Sequence, residues 1–132
     1  MLVVKISQIF ELEGEAQFRV YEKAALQTAL TRNHVIIATG GGAVINPLSR
    51  KLMKEKAFVI AFFSTPEKIL ERIMKEEGQR PLLKTTNPLE TIRELLSTRL
   101  TFYQEADFQI DTTQKTPEET AREAVPEILK MI

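Results

Sequence analysis

The stretch Val35-Ile36-Ile37-Ala38-Thr39-Gly40-Gly41-Gly42 joins an apolar, β-branched run to three consecutive glycines. Residues 35–38 lack polar alternation, as parallel strands covered on both faces do, and they predict a buried strand. Glycine has no Cβ, so the triplet lets backbone approach a ligand closely, and ligands bind at the carboxyl ends of strands in open α/β sheets. Two interpretations of the triplet stay open: a ligand-binding turn, or a flexible turn between a strand and a helix.

Two further runs predict strands, with helical patterns between them. Residues 57–63 and 108–111 are short and rich in β-branched or aromatic side chains. Residues 15–31 predict a helix. Alternating helices and strands are typical of an α/β fold in three layers, with a parallel sheet between flanking helices. The length of 132 residues suits a single domain over residues 1–132. The apolar face of the first helix carries Phe18, Tyr21, Ala25 and Ala29.

Four predicted helix starts share one motif, a capping side chain followed by proline. Asn and Thr accept hydrogen bonds from the free N–H groups of a first turn, and proline fits the first helical position. Pro126 falls inside the last helical pattern, so we expect that segment to form two short pieces. The polar stretch 78–87 is either a mobile lid or an ordinary surface loop. The four starts are Asn46-Pro47, Thr65-Pro66, Asn87-Pro88 and Thr116-Pro117.

Composition excludes several classes of function. Eighteen basic residues balance eighteen acidic ones, so no overall charge draws the chain to nucleic acid or to an acidic membrane surface. Without cysteine there is no disulfide framework or thiolate metal site, and no ligand spacing for a metal is present. No apolar run approaches the roughly 20 residues that span a bilayer. We therefore expect a soluble, unprocessed, cytoplasmic protein.

Arginines are the candidate functional side chains. Arg19 and Glu22 lie three residues apart on the first predicted helix, so Glu22 can orient a guanidinium that grips a carboxylate. Arg72, Arg80 and Arg99 follow on two later helices and in the stretch 78–87. Arginine suits phosphoryl transfer because charge on the transferring oxygens must be neutralised. Taken singly, Arg19 with Glu22 is more often a solvated helix pair, and each of the other three arginines is more often a surface charge.

Several linked motifs follow one another through almost the whole chain from Ile6 onward. They are Ile9-Phe10 with Gly14-Glu15, Phe18-Arg19 with Glu22, Ala38-Thr39-Gly40-Gly41-Gly42-Ala43-Val44, Arg80-Pro81-Leu82-Leu83, and Arg99 with Tyr103 before Ala106-Asp107. In order and spacing these motifs resemble the shikimate kinase family. A linked series of motifs is a more specific signal than any single motif.

The resemblance implies a reaction and an acceptor pocket. The reaction is transfer of the ATP γ-phosphoryl group to the 3-hydroxyl of shikimate, in the pathway to chorismate and the aromatic amino acids. It implies that Arg19 and Arg99 bind the shikimate carboxylate and that Glu22 orients Arg19. The other residues implied to line the pocket are Phe10, Phe18, Gly40, Gly41 and Gly42.

The resemblance also implies residues for the nucleotide, which the family uses with Mg²⁺. Arg80 would move with the lid, residues 78–87, to reach the transferring phosphate as the catalytic arginine. Arg72 and Pro117 would flank the adenine of ATP. Shikimate or a similar small carboxylate is the implied partner.

The chain departs from the family in one respect that affects both activity and fold. No G-x-x-x-x-G-K-[ST] loop occurs, although such a loop holds the phosphates and Mg²⁺. The family's acidic residue near the shikimate hydroxyls would precede Ile6 and is missing as well. We therefore expect an N-terminally truncated, nucleoside-kinase-like P-loop fold without its first strand and phosphate-binding loop, inactive in this form.

In the family that first strand lies between the strands matching residues 35–38 and 57–63. Its loss would leave unpaired strand edges, which favour aggregation or pairing with another chain. We expect residues 1–5, a partner chain, a second copy or a rearranged sheet to fill the gap. Two alternatives to the truncated kinase stay open: a non-catalytic module that binds carboxylates, and an interaction protein that accepts a strand.

Overall fold

The computed structural model describes residues 6–76 and 86–132 of the chain. Within these ranges the chain forms five α-helices, one short 3₁₀ helix and two strands. The elements in chain order are α1 (Ile6–Ala29), the 3₁₀ helix Gly41–Ile45, α2 (Pro47–Lys56), β1 (Ile60–Phe63), α3 (Pro66–Met74), α4 (Pro88–Gln104), β2 (Phe108–Asp111) and α5 (Pro117–Leu129).

The chain divides into two compact units, Met1–Lys56 and Ala57–Ile132. In the first unit, α1 and α2 pack on each other and on the 3₁₀ helix Gly41–Ile45. Leu26, Ala43 and Met53 are the buried apolar side chains of this unit. The glycine triplet is therefore attached directly to the helix pair, which places it beside α1.

The second unit contains a parallel pair of strands. β1 and β2 align with Ile60 opposite Phe108 and Phe63 opposite Asp111. Helix α4 packs against α3 and β1, and α5 packs against β2. Ile110 on β2 is completely buried, at 0% exposure. This is the parallel α/β arrangement that the alternating sequence pattern predicts.

All four predicted helix starts are confirmed, and each capping side chain makes its hydrogen bond. The Asn46 Oδ1 accepts from the Leu48 amide at 2.9 Å. Thr65 and Asn87 accept from the third amide of their helices. Thr116 forms a complete capping box, because Glu119 also accepts from the Thr116 amide at 3.2 Å. Short-range capping thus fixes where helices α2 to α5 begin.

The prediction of a strand at residues 35–38 is wrong for the described part of the chain. These residues have no strand assignment, and the side chain of Ile36 is 92% exposed. The only sheet among the described residues pairs β1 with β2. A strand needs a neighbouring backbone to receive its hydrogen bonds, and residues 35–38 have none within the described ranges.

Three smaller expectations are also corrected. Helix α1 begins at Ile6 instead of near residue 15, because Gly14 adopts φ 85° and ψ 169° and lets a further helical segment precede it. The buried residue of α1 is Leu26, which lies outside the predicted apolar face. Strand β1 begins at Ile60 instead of residue 57, and just before it the Val59 amide donates to the Asp107 side chain at 2.8 Å while the Val59 carbonyl accepts from the Phe108 amide at 3.1 Å.

Pro126 does not break the last helix. Helix α5 continues through it to Leu129. Proline removes one backbone donor, which leaves the carbonyl of Arg122 without its helical partner. Both Pro126 and Arg122 are exposed, so water can take the place of that hydrogen bond and the helix continues.

Candidate functional site

The candidate site in the first unit is built on Arg19 of α1. Its Nη1 donates to the Glu22 Oε1 at 2.8 Å, and its Nη2 lies 3.5 Å from the Glu15 Oε1. The side chains of Arg19 and Glu22 are 25% and 17% exposed to solvent. Residues three and four apart share a helical face, so the sequence spacing alone brings these groups together. The guanidinium is thereby held in a fixed orientation.

The glycine triplet packs directly on this ion pair. A Cβ built on Gly42 would lie only 2.5 Å from the Arg19 Cζ, closer than real Cβ atoms come to other atoms. A Cβ on Gly40 would lie 3.4 Å from the Glu22 Oε2. Gly41 begins the 3₁₀ helix between them. The triplet is therefore more than a flexible turn, because Gly42 leaves the space that the guanidinium occupies.

An aromatic pair lies next to Arg19. The rings of Phe10 and Phe18 are 4.8 Å apart between centroids and inclined by 39°. The Arg19 Cζ lies 5.3 Å from the Phe18 centroid, within the range of a cation–π interaction. Seven predicted site residues therefore belong to one unit: Arg19, Glu22, Gly40, Gly41, Gly42, Phe10 and Phe18.

The turn at Gly14 brings Phe10 back to Phe18. The Tyr21 hydroxyl donates to the Glu13 Oε1 at 2.7 Å across this turn. That hydrogen bond is the main reason why the pKa of Tyr21 is raised, since it favours the protonated phenol. Sequence analysis missed this contact, because its partners are eight residues apart and meet only through the left-handed conformation of Gly14.

A cavity of about 270 Å³ lies beside the ion pair. It is bounded by α1, the 3₁₀ helix and the first turn of α2. Lys23, Asn46 and Ser49 were not predicted as site residues, although Lys23 lies one turn after Arg19. The lining residues are Arg19, Glu22, Lys23, Gly42, Ala43, Ile45, Asn46, Pro47 and Ser49.

In the second unit, Arg72 is bound to the segment that leads into α5. Its Nη1 donates to the Thr112 hydroxyl at 3.0 Å, and its Nη2 donates to the carbonyls of Thr112 and Lys115. Pro117 is the first residue of α5. The structure thus places Arg72 and the segment before Pro117 together, and it fixes the plane of the guanidinium.

Arg99 lies on α4 with 9% of its surface exposed. Its Nε is buried and has no hydrogen-bond partner in the described part of the chain. A buried donor without a partner carries a desolvation cost, which a bound anion would relieve. Arg80 and most of the predicted lid lie outside the described residues.

The residues present do not suit the binding of Mg²⁺ or of the ATP phosphates. Among residues 6–76 and 86–132 no group of three His, Asp or Glu side chains could hold a metal ion. The sequence has five glycines, and none is followed by Lys-Ser or Lys-Thr. No step that depends on Mg²⁺ or on the ATP phosphates is therefore assigned to the described residues. In the same ranges, no helix is both long and apolar enough to cross a membrane.

The sequence is similar to known proteins over nearly all its length. A family model described as shikimate kinase matches residues 2–130. The shikimate kinase of Thermoanaerobacter pseudethanolicus is 41% identical over 131 residues, which make up 99% of this chain and 76% of the relative. That of Caldanaerobacter subterraneus subsp. tengcongensis is 42% identical over 132 residues, again 99% of this chain and 76% of the relative.

Solved structures show the same similarity. A shikimate kinase from Acinetobacter baumannii in complex with shikimate superposes with a TM-score of 0.86 at 33% identity, covering 96% of this chain and 71% of that one. The shikimate kinase from Aquifex aeolicus superposes with a TM-score of 0.77 at 35% identity, covering 95% of this chain and 72% of that one.

Proposed function

The chain belongs to the shikimate kinase family, and we propose on this premise that its described residues form the acceptor-binding side of such an enzyme. The reaction for which this side would bind the acceptor is phosphorylation of the shikimate 3-hydroxyl by ATP. The single observation that carries the proposal is the Arg19 guanidinium, oriented by Glu22 at 2.8 Å and seated where a Cβ on Gly42 would lie. The Acinetobacter baumannii relative, solved in complex with shikimate, supports the choice of acceptor.

In this proposal Arg19 binds the shikimate carboxylate. Arginine presents several N–H donors in a rigid plane that matches a carboxylate, and Glu22 and Glu15 use only part of them. Glu22 sets the plane of the guanidinium, and the triplet lets backbone approach the acceptor ring. The ring of Phe18, which packs on Phe10, covers one side of the Arg19 guanidinium, and an apolar neighbour strengthens the interaction of that guanidinium with an anion.

The remaining assignments extend the proposal to the other parts of the chain. We assign Arg99 to the substrate carboxylate as a second arginine and Arg80 to the transferring phosphate. Arg72 and Pro117 are assigned to the adenine of ATP, since the bonds from Arg72 to Thr112 and Lys115 hold its guanidinium flat for stacking.

Calorimetry with shikimate tests the acceptor site. We expect the chain to bind shikimate and Arg19→Lys to bind about tenfold to hundredfold more weakly, because a charged hydrogen bond contributes about 1.5–3 kcal/mol. Arg93→Lys is the matched control, since Arg93 pairs with Glu67 on the exposed surface of the second unit. A folded wild-type chain that releases no heat with shikimate would refute the proposal.

Binding of shikimate by this chain does not require that the chain also phosphorylates it. With no phosphate-binding loop in its 132 residues, this chain on its own is proposed to bind shikimate without phosphorylating it. The same absence favours the alternative function, a module that binds a small carboxylate and does not turn it over. A coupled assay of ADP release with Mg²⁺, ATP and shikimate checks this expectation, and measurable turnover by the purified chain would contradict it.

A further inference from the structure

Lys23 is a further cation beside Arg19 that the proposed roles do not use. It lies one helical turn after Arg19 on α1, and it lines the same cavity as Arg19 and Gly42. Residues four apart on a helix share a face, and this face also carries the buried Leu26. Lys23 itself is partly buried. Its side chain therefore belongs to the inner face of the helix.

The carboxylates that contact Arg19 outnumber its own charge. Arg19 contacts the carboxylates of Glu22 at 2.8 Å and Glu15 at 3.5 Å, so this cluster carries one excess negative charge. Lys23 has no carboxylate within 4.0 Å in the described part of the chain. Its ammonium therefore adds a positive charge at the cavity that Arg19 and Glu22 also line.

The charge of Lys23 matters because the proposed ligand is an anion. A carboxylate that enters beside Arg19 approaches Glu15 and Glu22 in a partly desolvated pocket, where charges are weakly screened, and a further cation there offsets their repulsion. Lys23 and Arg19 also repel each other, because they are two cations four residues apart on one helix. A bound anion would relieve that repulsion.

We propose that Lys23 is a specificity-determining residue of the acceptor pocket, which selects acceptors that carry a carboxylate over uncharged ones. The inference rests on the proposed function and deepens it. Arg19 donates the directional hydrogen bonds to the ligand's carboxylate, and the positive charge of Lys23 attracts that carboxylate to the pocket. A long-range charge of this kind requires no direct contact with the ligand.

The experiment compares shikimate with its uncharged methyl ester by calorimetry at low ionic strength. The variants are Lys23→Gln, Lys23→Arg and the matched control Lys54→Gln, whose side chain is exposed on α2 of the same unit. We expect Lys23→Gln to weaken shikimate binding about tenfold and to leave methyl ester binding unchanged. Lys23→Arg should restore shikimate affinity, and added salt should reduce the difference between wild type and Lys23→Gln.

Circular dichroism of each variant establishes that it is folded. Equal shikimate affinity of Lys23→Gln and wild type would overturn the inference and leave the proposed function standing. An equal loss of affinity for shikimate and for the methyl ester would overturn it too, since a packing role affects both ligands. A wild-type chain that binds neither ligand would refute the proposed function and the inference together.

Discussion

Gly42 is the residue whose identity the candidate site most depends on. A methyl group there would collide with the Arg19 guanidinium, with the Cζ at only 2.5 Å. The colliding atoms are the far end of a flexible side chain, so Arg19 can move away and the fold can survive. The consequence of a substitution should therefore appear in binding and leave stability largely unchanged.

For Gly42→Ala we expect shikimate affinity to fall at least about tenfold, with an unfolding temperature close to that of the wild type. The displaced guanidinium loses its hydrogen bond to Glu22 and with it the orientation that suits a carboxylate. Calorimetry and thermal unfolding measure the two quantities. Lys54→Ala is the control, because the Lys54 side chain is exposed on α2 of the same unit and lines no part of the cavity. Wild-type affinity in Gly42→Ala would contradict the prediction.

Asp111 provides a pH-dependent test at the end of β2. The pKa of this carboxyl is lowered from 3.8, first by the hydrogen bond from the Thr113 hydroxyl and second by that from the Thr113 amide. A carboxyl with a lowered pKa in the folded state stabilises the fold at pH values above 3.8. That contribution is lost as the pH falls through the folded pKa.

Thr113→Val should raise the pKa of Asp111 towards its ordinary value, because one of two hydrogen bonds to the carboxylate disappears. An NMR titration of the Asp111 carboxyl measures the shift. Thr113→Ser retains a hydroxyl and should keep the pKa low. If Thr113→Val leaves the titration unchanged, the hydroxyl is not the main cause.

At the scale of elements, Gly14 determines the shape of α1. Its φ of 85° and ψ of 169° lie in a region that is nearly restricted to glycine. No atom lies within 4 Å of a Cβ built there, so any cost of a substitution comes from the backbone conformation alone. The residues before Gly14 include Phe10, whose contact with Phe18 depends on this turn.

We expect Gly14→Ala to lower the free energy of unfolding by about 1–3 kcal/mol. Chemical denaturation measures this change. A semisynthetic chain with D-alanine at position 14 is the control, because the D configuration allows positive φ and no neighbouring atom obstructs the methyl group. Equal destabilisation by both forms of alanine would show that backbone strain is not the cause.

Helix α5 allows a stabilising substitution. Pro126 lies inside the helix and deprives the Arg122 carbonyl of its donor. Pro126→Ala restores that hydrogen bond and should raise the free energy of unfolding by about 1 kcal/mol. This is less than the full helix-interior penalty, because the site is exposed and near the helix end.

Thr116→Ala removes the cap of the same helix and should lower the free energy of unfolding by about 1 kcal/mol. Denaturation curves of both variants check these opposite signs.

At the scale of the whole molecule, residues 35–38 are an apolar segment that the described sheet leaves without a partner. They are apolar and β-branched, yet Val35 and Ile36 are exposed and no described strand pairs with them. Unpaired, apolar extended segments are sites where chains associate. A self-associating chain or one that accepts a partner's strand would fit this surface, as the strand-accepting alternative proposes.

We expect the chain to self-associate with rising concentration and Ile36→Lys to reduce that association without destabilising the fold, since Ile36 is 92% exposed. Sedimentation velocity over a range of concentrations measures it. Leu12→Lys is the control, because Leu12 is 83% exposed but lies on a helix whose backbone is already hydrogen-bonded. A wild type that stays monomeric at every concentration would contradict the prediction.

Sequence could predict those parts of the candidate site that depend on contacts within one helix or on a specific motif. Arg19 and Glu22 could be paired from their spacing, and the glycine triplet could be singled out as a place of close approach. The contact between Gly42 and Arg19 joins residues 23 positions apart, so it depends on how α1 packs against the 3₁₀ helix. The cavity that includes Lys23 depends on the same packing.

The sequence by itself determined the starts of helices α2 to α5, strand β2 and membership of the shikimate kinase family. Caps and prolines act within a single turn, and a linked series of motifs needs no coordinates to be recognised. Tertiary structure alone decided that residues 35–38 have no strand partner within residues 6–76 and 86–132, and that Lys23 lines the cavity. A strand forms only where a second backbone accepts its hydrogen bonds, and a pocket exists only where separate elements meet.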